Sequence, residues 1–174
     1  MLYALAGLIS VLFLVADQLS KSYVANNFTL TDSVPLIDGV IDLTYIHNLG
    51  GAWGIMNGHT WVLLSLTLLI MIVCIAMVIK NGFKSKLLFF AVCLIISGGL
   101  GNMVDRIFRG GQVIDFIHLH FMPDFPVFNI ADCAVCIGAG LLMLYFIIDM
   151  VKDYKKRREN EEIIHSTEQK TPEK

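Results

Sequence analysis

Four long stretches of this chain carry almost no charge, and that fact restricts what the chain can fold into. Met1 to Ala16, Trp61 to Ile79 and Leu87 to Val104 contain no Asp, Glu, Lys or Arg. Ile130 to Val151 contains only Asp132 and Asp149, one near each end. A bilayer core about 30 Å thick is crossed by roughly 17–25 residues of helix. Each stretch meets that length once the first is continued past Asp17 to about Val24. Charged residues make up 16% of the 174 residues, against roughly 25% in soluble domains. Little chain is left for a separate soluble domain. The first stretch has no Lys or Arg near its start and a long apolar run, so it is expected to be a retained helix and not a cleaved leader.

The remaining charges are unevenly placed. No Lys or Arg occurs between Lys21 and Lys80, a span that holds Asp32, Asp38 and Asp42. Lys80, Lys84 and Lys86 cluster between the second and third stretches, and Lys152, Lys155, Lys156, Arg157 and Arg158 follow the fourth. Positive charge accumulates in cytoplasmic loops. The expected topology therefore has both termini in the cytoplasm and the segments 26–60 and 108–127 outside. Arg106 and Arg109 run against this rule and call for a specific role.

The expected domain is residues 1–151, an all-α membrane protein with helices over about 2–24, 61–79, 86–107 and 129–151. Residues 152–174, polar and without apolar anchors, are expected to be a disordered cytoplasmic tail. In the first outer segment, glycines and Pro35 argue against a long helix, and the β-branched run Val40 to Ile46 suggests a strand. Val113 to Phe121 reads as a second strand or hairpin. Pairing the two over the helix ends would satisfy their backbone hydrogen bonds.

Ionisable groups inside a membrane are costly and point to function by default. At ~1.5 Å per residue, Asp17, Asn102 and Asp105 all lie near the outer ends of their helices. Asp132 is about 6 Å below the start of the fourth helix, and Asp115 lies in the outer segment before it. Phase adds to depth: Asn129 and Asp132 are i, i+3, Gly98, Asn102 and Arg106 are spaced by four, and Asp17 and Lys21 are i, i+4. Each has an ordinary structural explanation as well. Asp17–Lys21 and Asp105–Arg106 read as ion pairs, Asn129 as an N-cap with Asp132 in the first turn, and Asp115, between Ile114 and Phe116, as an exposed strand residue. Four such accidents at one depth are harder to accept than one site.

The residue types narrow the chemistry. No serine–histidine–aspartate set lies at this level. His118 and His120 would share a strand face with Asp115 on the other, a poor metal set, so no metal and no cofactor is expected. Cys74, Cys93, Cys133 and Cys136 read as small apolar filler. Two aspartates sharing one proton can activate water and protonate a leaving group, as in aspartic proteases. A small transporter or scaffold and a presenilin-type protease are the alternatives. The first lacks an inverted repeat, and the second expects both acids deep in helices.

Five blocks carry a resemblance: Asp17-Gln18-Leu19-Ser20-Lys21, Asn48-Leu49-Gly50-Gly51-Ala52-Trp53, Gly98 through Arg106, Val113-Ile114-Asp115-Phe116 and Phe128-Asn129-Ile130-Ala131-Asp132. In order and spacing they resemble the signature of the lipoprotein signal peptidases, or signal peptidase II, over residues 17–132. The resemblance implies an aspartic endopeptidase of the bacterial cytoplasmic membrane that cuts diacylglyceryl-modified prolipoproteins just before the lipidated cysteine. It implies Asp115 and Asp132 as the catalytic pair, and Asn48, Gly50, Asn102, Arg106 and Asn129 as substrate-binding. It gives Asp17 and Lys21 a supporting role and has Asp105 support Arg106. It further implies a small extracytoplasmic β-cradle, membrane lipids as neighbours, no nucleic acid and a monomer.

Overall fold

A computed structural model describes residues 1–168, the last six of these by backbone alone. The elements run α1 (Leu2–Asn27), β1 (Ser33–Ile37), β2 (Ile41–Asn48), a short turn of 3-10 helix (Ala52–Gly54), α2 (Thr60–Lys80), α3 (Lys86–Phe108), β3 (Val113–Leu119) and α4 (Ile130–Glu168). All four α-helices are long and apolar enough to cross a membrane.

The helix α3 is the centre of the bundle. Half of its apolar span is buried, against 17% for α1, 22% for α2 and 11% for α4. Lipid supplies no hydrophobic drive between helices, so close backbone approach at small residues does the packing. Three glycines of α3 face three different helices. A methyl group at Gly98 would overlap the Ala131 carbonyl oxygen of α4. One at Gly101 would stand 2.7 Å from an Asp17 carboxyl oxygen of α1, and one at Gly99 would meet Met71 of α2. The stripe of small residues is thus the surface on which the other helices seat.

The strands form an antiparallel sheet in the order β1-β2-β3. The pairing places Asp115 opposite Ile46 and Val113 opposite Asn48. Tyr45, Ile114 and Phe116 pack on Val24 at the end of α1. Burying such side chains is worth about 1.5–3 kcal/mol each, which fixes the sheet to the bundle. The expected pairing of the two segments is observed. The strand β1 was not foreseen, because Pro35 lies in it. An edge strand tolerates proline, whose missing N–H can face away from the ladder.

The fourth helix departs from expectation. It was expected to end near Val151, with a disordered tail beyond. Instead it continues to Glu168, and residues 169–174 lie outside the described residues. An apolar face is needed to dock a helix but not to extend one already nucleated in the membrane. Residues 152–162 contain no Gly or Pro, and Arg158 pairs with Glu162 one turn on, at 3.4 Å.

Candidate active site

The start of α4 organises the site. Asn129 caps the helix: its Oδ1 accepts from the Asp132 N–H (2.9 Å), and its own N–H donates to Asp132 Oδ2 (3.1 Å). This reciprocal pair is a capping box, and it fixes the Asp132 carboxyl in the first turn. The Asn129 side-chain nitrogen donates to Asp115 Oδ1 at 2.6 Å. One asparagine therefore holds both carboxyls. Asn48 donates to Asp115 Oδ2 (2.9 Å) and Asn102 to Asp132 Oδ1 (2.8 Å). Each of the four carboxyl oxygens has one donor. The N-cap reading of Asn129 holds, and the same side chain also reaches Asp115.

Behind this pair lies a buried ionic layer. Lys21 is fully buried and contacts Asp17 Oδ2 at 2.9 Å, Asp105 Oδ2 at 3.0 Å and Asn102 Oδ1 at 3.0 Å. The two acids also reach the backbone. Asp17 Oδ1 accepts from the N–H of Ala131 (2.8 Å), and Asp105 Oδ2 from the N–H of Ile114 (3.2 Å). Ala131 precedes Asp132 and Ile114 precedes Asp115. Lys21 thus clamps two carboxylates, each of which holds the residue before one of the central acids. Gln18 adds a bond to the Gly101 carbonyl (3.1 Å).

Asp105 was expected to support Arg106. Its cationic partners are instead Lys21 and, at 3.2 Å, Arg109. Arg106 is the next residue on the helix and points a different way. Its guanidinium donates to the carbonyl oxygens of Gly50 (2.7 Å) and Asn102 (3.4 Å), while its Nε is buried with no partner among the described residues. Gly50 is required by its surroundings, since a side chain there would lie 2.8 Å from the Gly54 backbone.

A cavity of about 500 Å³ opens onto these groups. Its polar side consists of Asn48, Asn102, Arg106, Asp115 and Asp132, and its apolar side includes Trp53, Phe125, Phe128 and Val135. Trp53, Phe125 and Phe128 form an edge-to-face series with ring centres 5.9 and 5.8 Å apart. Cys133 and Cys136 also line the cavity, so their reading as filler is incomplete. For Cys136 the available signal was its phase, four residues beyond Asp132 and on the same helix face; Cys133, at the next position, offered none. The aromatic wall had none, because it is assembled from separate loops.

Burial, and then the charge of Asp132, push the Asp115 carboxyl up to about 7, against the pull of its Asn48 and Asn129 donors. Near neutral pH the pair therefore offers a proton donor beside an acceptor at one cavity wall. His118 and His120 turn away from Asp115 to Asp42, with Nδ1 to Oδ2 distances of 3.5 and 2.9 Å. The His120 hydrogen bond holds the Asp42 carboxyl below its ordinary range.

Fold and site together define a multi-pass membrane protein with a pair of carboxyls set in a cavity beneath a small sheet. Residues 9–148 match the family described as Signal peptidase (SPase) II. The chain is 39% identical over 154 residues to the lipoprotein signal peptidase of Bacillus pumilus, across 88% of this chain and 96% of that protein. It is 36% identical over 158 residues to that of Halalkalibacterium halodurans, across 90% and 99%. A solved structure of a bacterial membrane enzyme, obtained by the in meso method at 2.3 Å resolution, superposes with a TM-score of 0.78 at 32% identity, over 84% of this chain and 90% of that one. A second, at 1.9 Å resolution, gives 0.74 at 32% identity, over 82% and 92%. The chain belongs to the signal peptidase II family, the lipoprotein signal peptidases. It is a bacterial multi-pass membrane protease of lipoprotein processing.

Proposed function

We propose that the protease is of the aspartic type and that Asp115 and Asp132 are its catalytic pair. The observation that carries this reading is that both carboxyls face one cavity and are bridged by Asn129. Asp115, with its carboxyl near 7, holds the proton the pair shares. Asp132 takes a proton from water as the water oxygen attacks the scissile carbonyl carbon. Asp115 gives its proton to the carbonyl oxygen. The tetrahedral diol then collapses: the carbon–nitrogen bond breaks, the proton held by Asp132 passes to the leaving amine, and a diol hydroxyl returns its proton to Asp115 as the new carboxyl group forms. Arg106, which lines the cavity, donates to a substrate carbonyl, and Asn48, Asn102 and Asn129 keep the carboxyls aimed.

The substrate is a prolipoprotein carrying a diacylglyceryl group, cut before the lipidated cysteine. Its apolar chains complement the wall of Trp53, Phe125, Phe128 and Val135 on the non-polar side of the cavity. The site lies at the outer face of the cytoplasmic membrane, with both termini inside. The placement of Lys80, Lys84, Lys86 and the basic run after Val151 supports this. One chain supplies both carboxyls and their supports, so a monomer is sufficient for the reaction.

Turnover of a lipidated precursor by purified variants tests the assignment. Asp115→Asn and Asp132→Asn should each lower turnover by at least about 10²-fold, with thermal unfolding in detergent confirming a folded protein. The double variant should be no worse than either single one, because the two act as a unit. Near-normal turnover by folded Asp115→Asn would remove the pair and direct the search to Asp105 and Asp17.

A further inference from the structure

A second cleft lies between α1 and α3 at the end of the bundle opposite the carboxyl cavity. It has a volume of about 250 Å³ and apolar walls of Leu2, Leu5, Ile9, Leu87 and Phe90. Leu2 to Ile9 spans about 10 Å of helix, so the cleft reaches from the helix ends into the hydrocarbon. Its flank ties the two helices together: the Tyr3 hydroxyl donates to the Phe83 carbonyl, and the Tyr3 ring packs edge-on against Phe89 at 4.9 Å.

The charge on the segments of the two helices that line this cleft is one-sided. Lys86 is an exposed lining residue, Lys84 is two residues before it, and Met1 is the residue before the first helical turn. Residues 1–16 and 80–104 contain no Asp or Glu, so nothing in these segments neutralises the cations. Lys86 and Leu87 also form the N-terminal end of α3, the positive end of that helix dipole. A negative group set at the interface, with an apolar chain running inward beside it, complements both features.

We infer that this cleft binds one anionic phospholipid, its phosphate against Lys86 and an acyl chain along Leu5, Ile9 and Phe90. The lipid belongs to the leaflet opposite the one reached by the carboxyl cavity, so it is not the substrate. A zwitterionic lipid would fill the cleft equally well but would bring no net charge to Lys86.

Native mass spectrometry of the full chain released from detergent micelles tests this. The probes are phosphatidylglycerol and phosphatidylcholine with identical acyl chains, and glycerol 1-phosphate as a chain-free competitor. The wild type should retain one phosphatidylglycerol about fivefold more tightly than phosphatidylcholine, the effect of one lysine at a membrane surface. Lys86→Gln should bring the two lipids close to equality. Leu5→Trp, which fills the cleft from an exposed position, should weaken both. Equal retention of the two lipids by the wild type, or an unchanged preference in Lys86→Gln, would overturn the inference. Displacement of phosphatidylglycerol by glycerol 1-phosphate as effectively as by intact lipid would do so too, because the cleft would then contribute nothing.

Discussion

Replacing Lys21 by Met should do more damage than any other single loss of charge in this protein. The ammonium is wholly buried, as are the side chains of Asp17 and Asp105 that it contacts at 2.9 and 3.0 Å. Met keeps most of the volume and removes the charge. Asp105 would retain Arg109, which is itself one-third exposed, but Asp17 would be left with no cation. Breaking a buried pair by removing one partner costs about 3–5 kcal/mol. For a chain of this size each kcal/mol is worth about 2–4 °C, so the unfolding midpoint in detergent should fall by about 6–20 °C. Adding Asp17→Asn to Lys21→Met should recover part of the loss, because Asn removes the stranded charge and can still accept from the Ala131 N–H. The exposed Arg158–Glu162 pair is the control, and Arg158→Ala should change little. The assay is thermal unfolding of purified chains, followed by turnover well below the midpoint. If Lys21→Met unfolded within about 2 °C of the parent, the layer could not be a dry, charged clamp, and the account of how α1 positions both acids would fail.

Gly98→Ala should destabilise by about 1–3 kcal/mol and lower turnover by pushing α4, and with it Asp132, away from α3. Gly7→Ala, where a methyl group meets nothing within 4 Å, should be neutral, and equal unfolding midpoints for the two would refute the packing argument. Stability should depend on pH through Asp115. Its carboxyl is raised from 3.8 to about 7 in the fold, so the unfolded chain ionises first and stability falls between those values, by up to ~4 kcal/mol. The corresponding curve for Asp115→Asn should be flatter over that range, and parallel melting curves from pH 4 to 8 would contradict this. Ser33→Cys should label with an impermeant thiol reagent from outside the cell and Ser85→Cys only from inside, above the parent's background. The reverse pattern would invert the topology.

Much of this architecture was legible because the bilayer makes its demands locally. A stretch long and apolar enough to cross is visible in the sequence, and so is an acid that has no business within it. Asp17, Asn102, Asp105 and Asp132 could be placed at one level by counting residues alone. Direction could not be read in the same way. Asp105 and Arg106 are adjacent in sequence and opposite in sign, yet they face different neighbours, because successive residues on a helix do not share a face. Lys21 bridging to Asp105 and Asn102, and Asp17 holding the Ala131 N–H, depend on how closely α1 and α4 seat on the glycines of α3. No period within one helix encodes that seating. The aromatic wall of Trp53, Phe125 and Phe128 was invisible for a related reason: its members come from two loops whose course is set by the sheet. The length of α4 is hidden for another reason: residues past Val151 offer no apolar face to dock, yet a helix already nucleated in the membrane extends without one.

Asn129 offers one more consequence, for inhibitor resistance. Its side-chain oxygen caps Asp132, its side-chain nitrogen holds Asp115, and its backbone N–H reaches back to Asp132. An inhibitor that drew its affinity from this residue could be evaded only by changes that also release both acids. An exchange to Asp would put a third carboxyl against Asp115 and leave that oxygen without its donor. An exchange to Ser would keep a cap but fall short of β3. Escape variants against such a compound should therefore collect on the wall of Trp53, Phe125 and Cys136, where the cavity can change shape while Asp115 and Asp132 keep their hydrogen bonds.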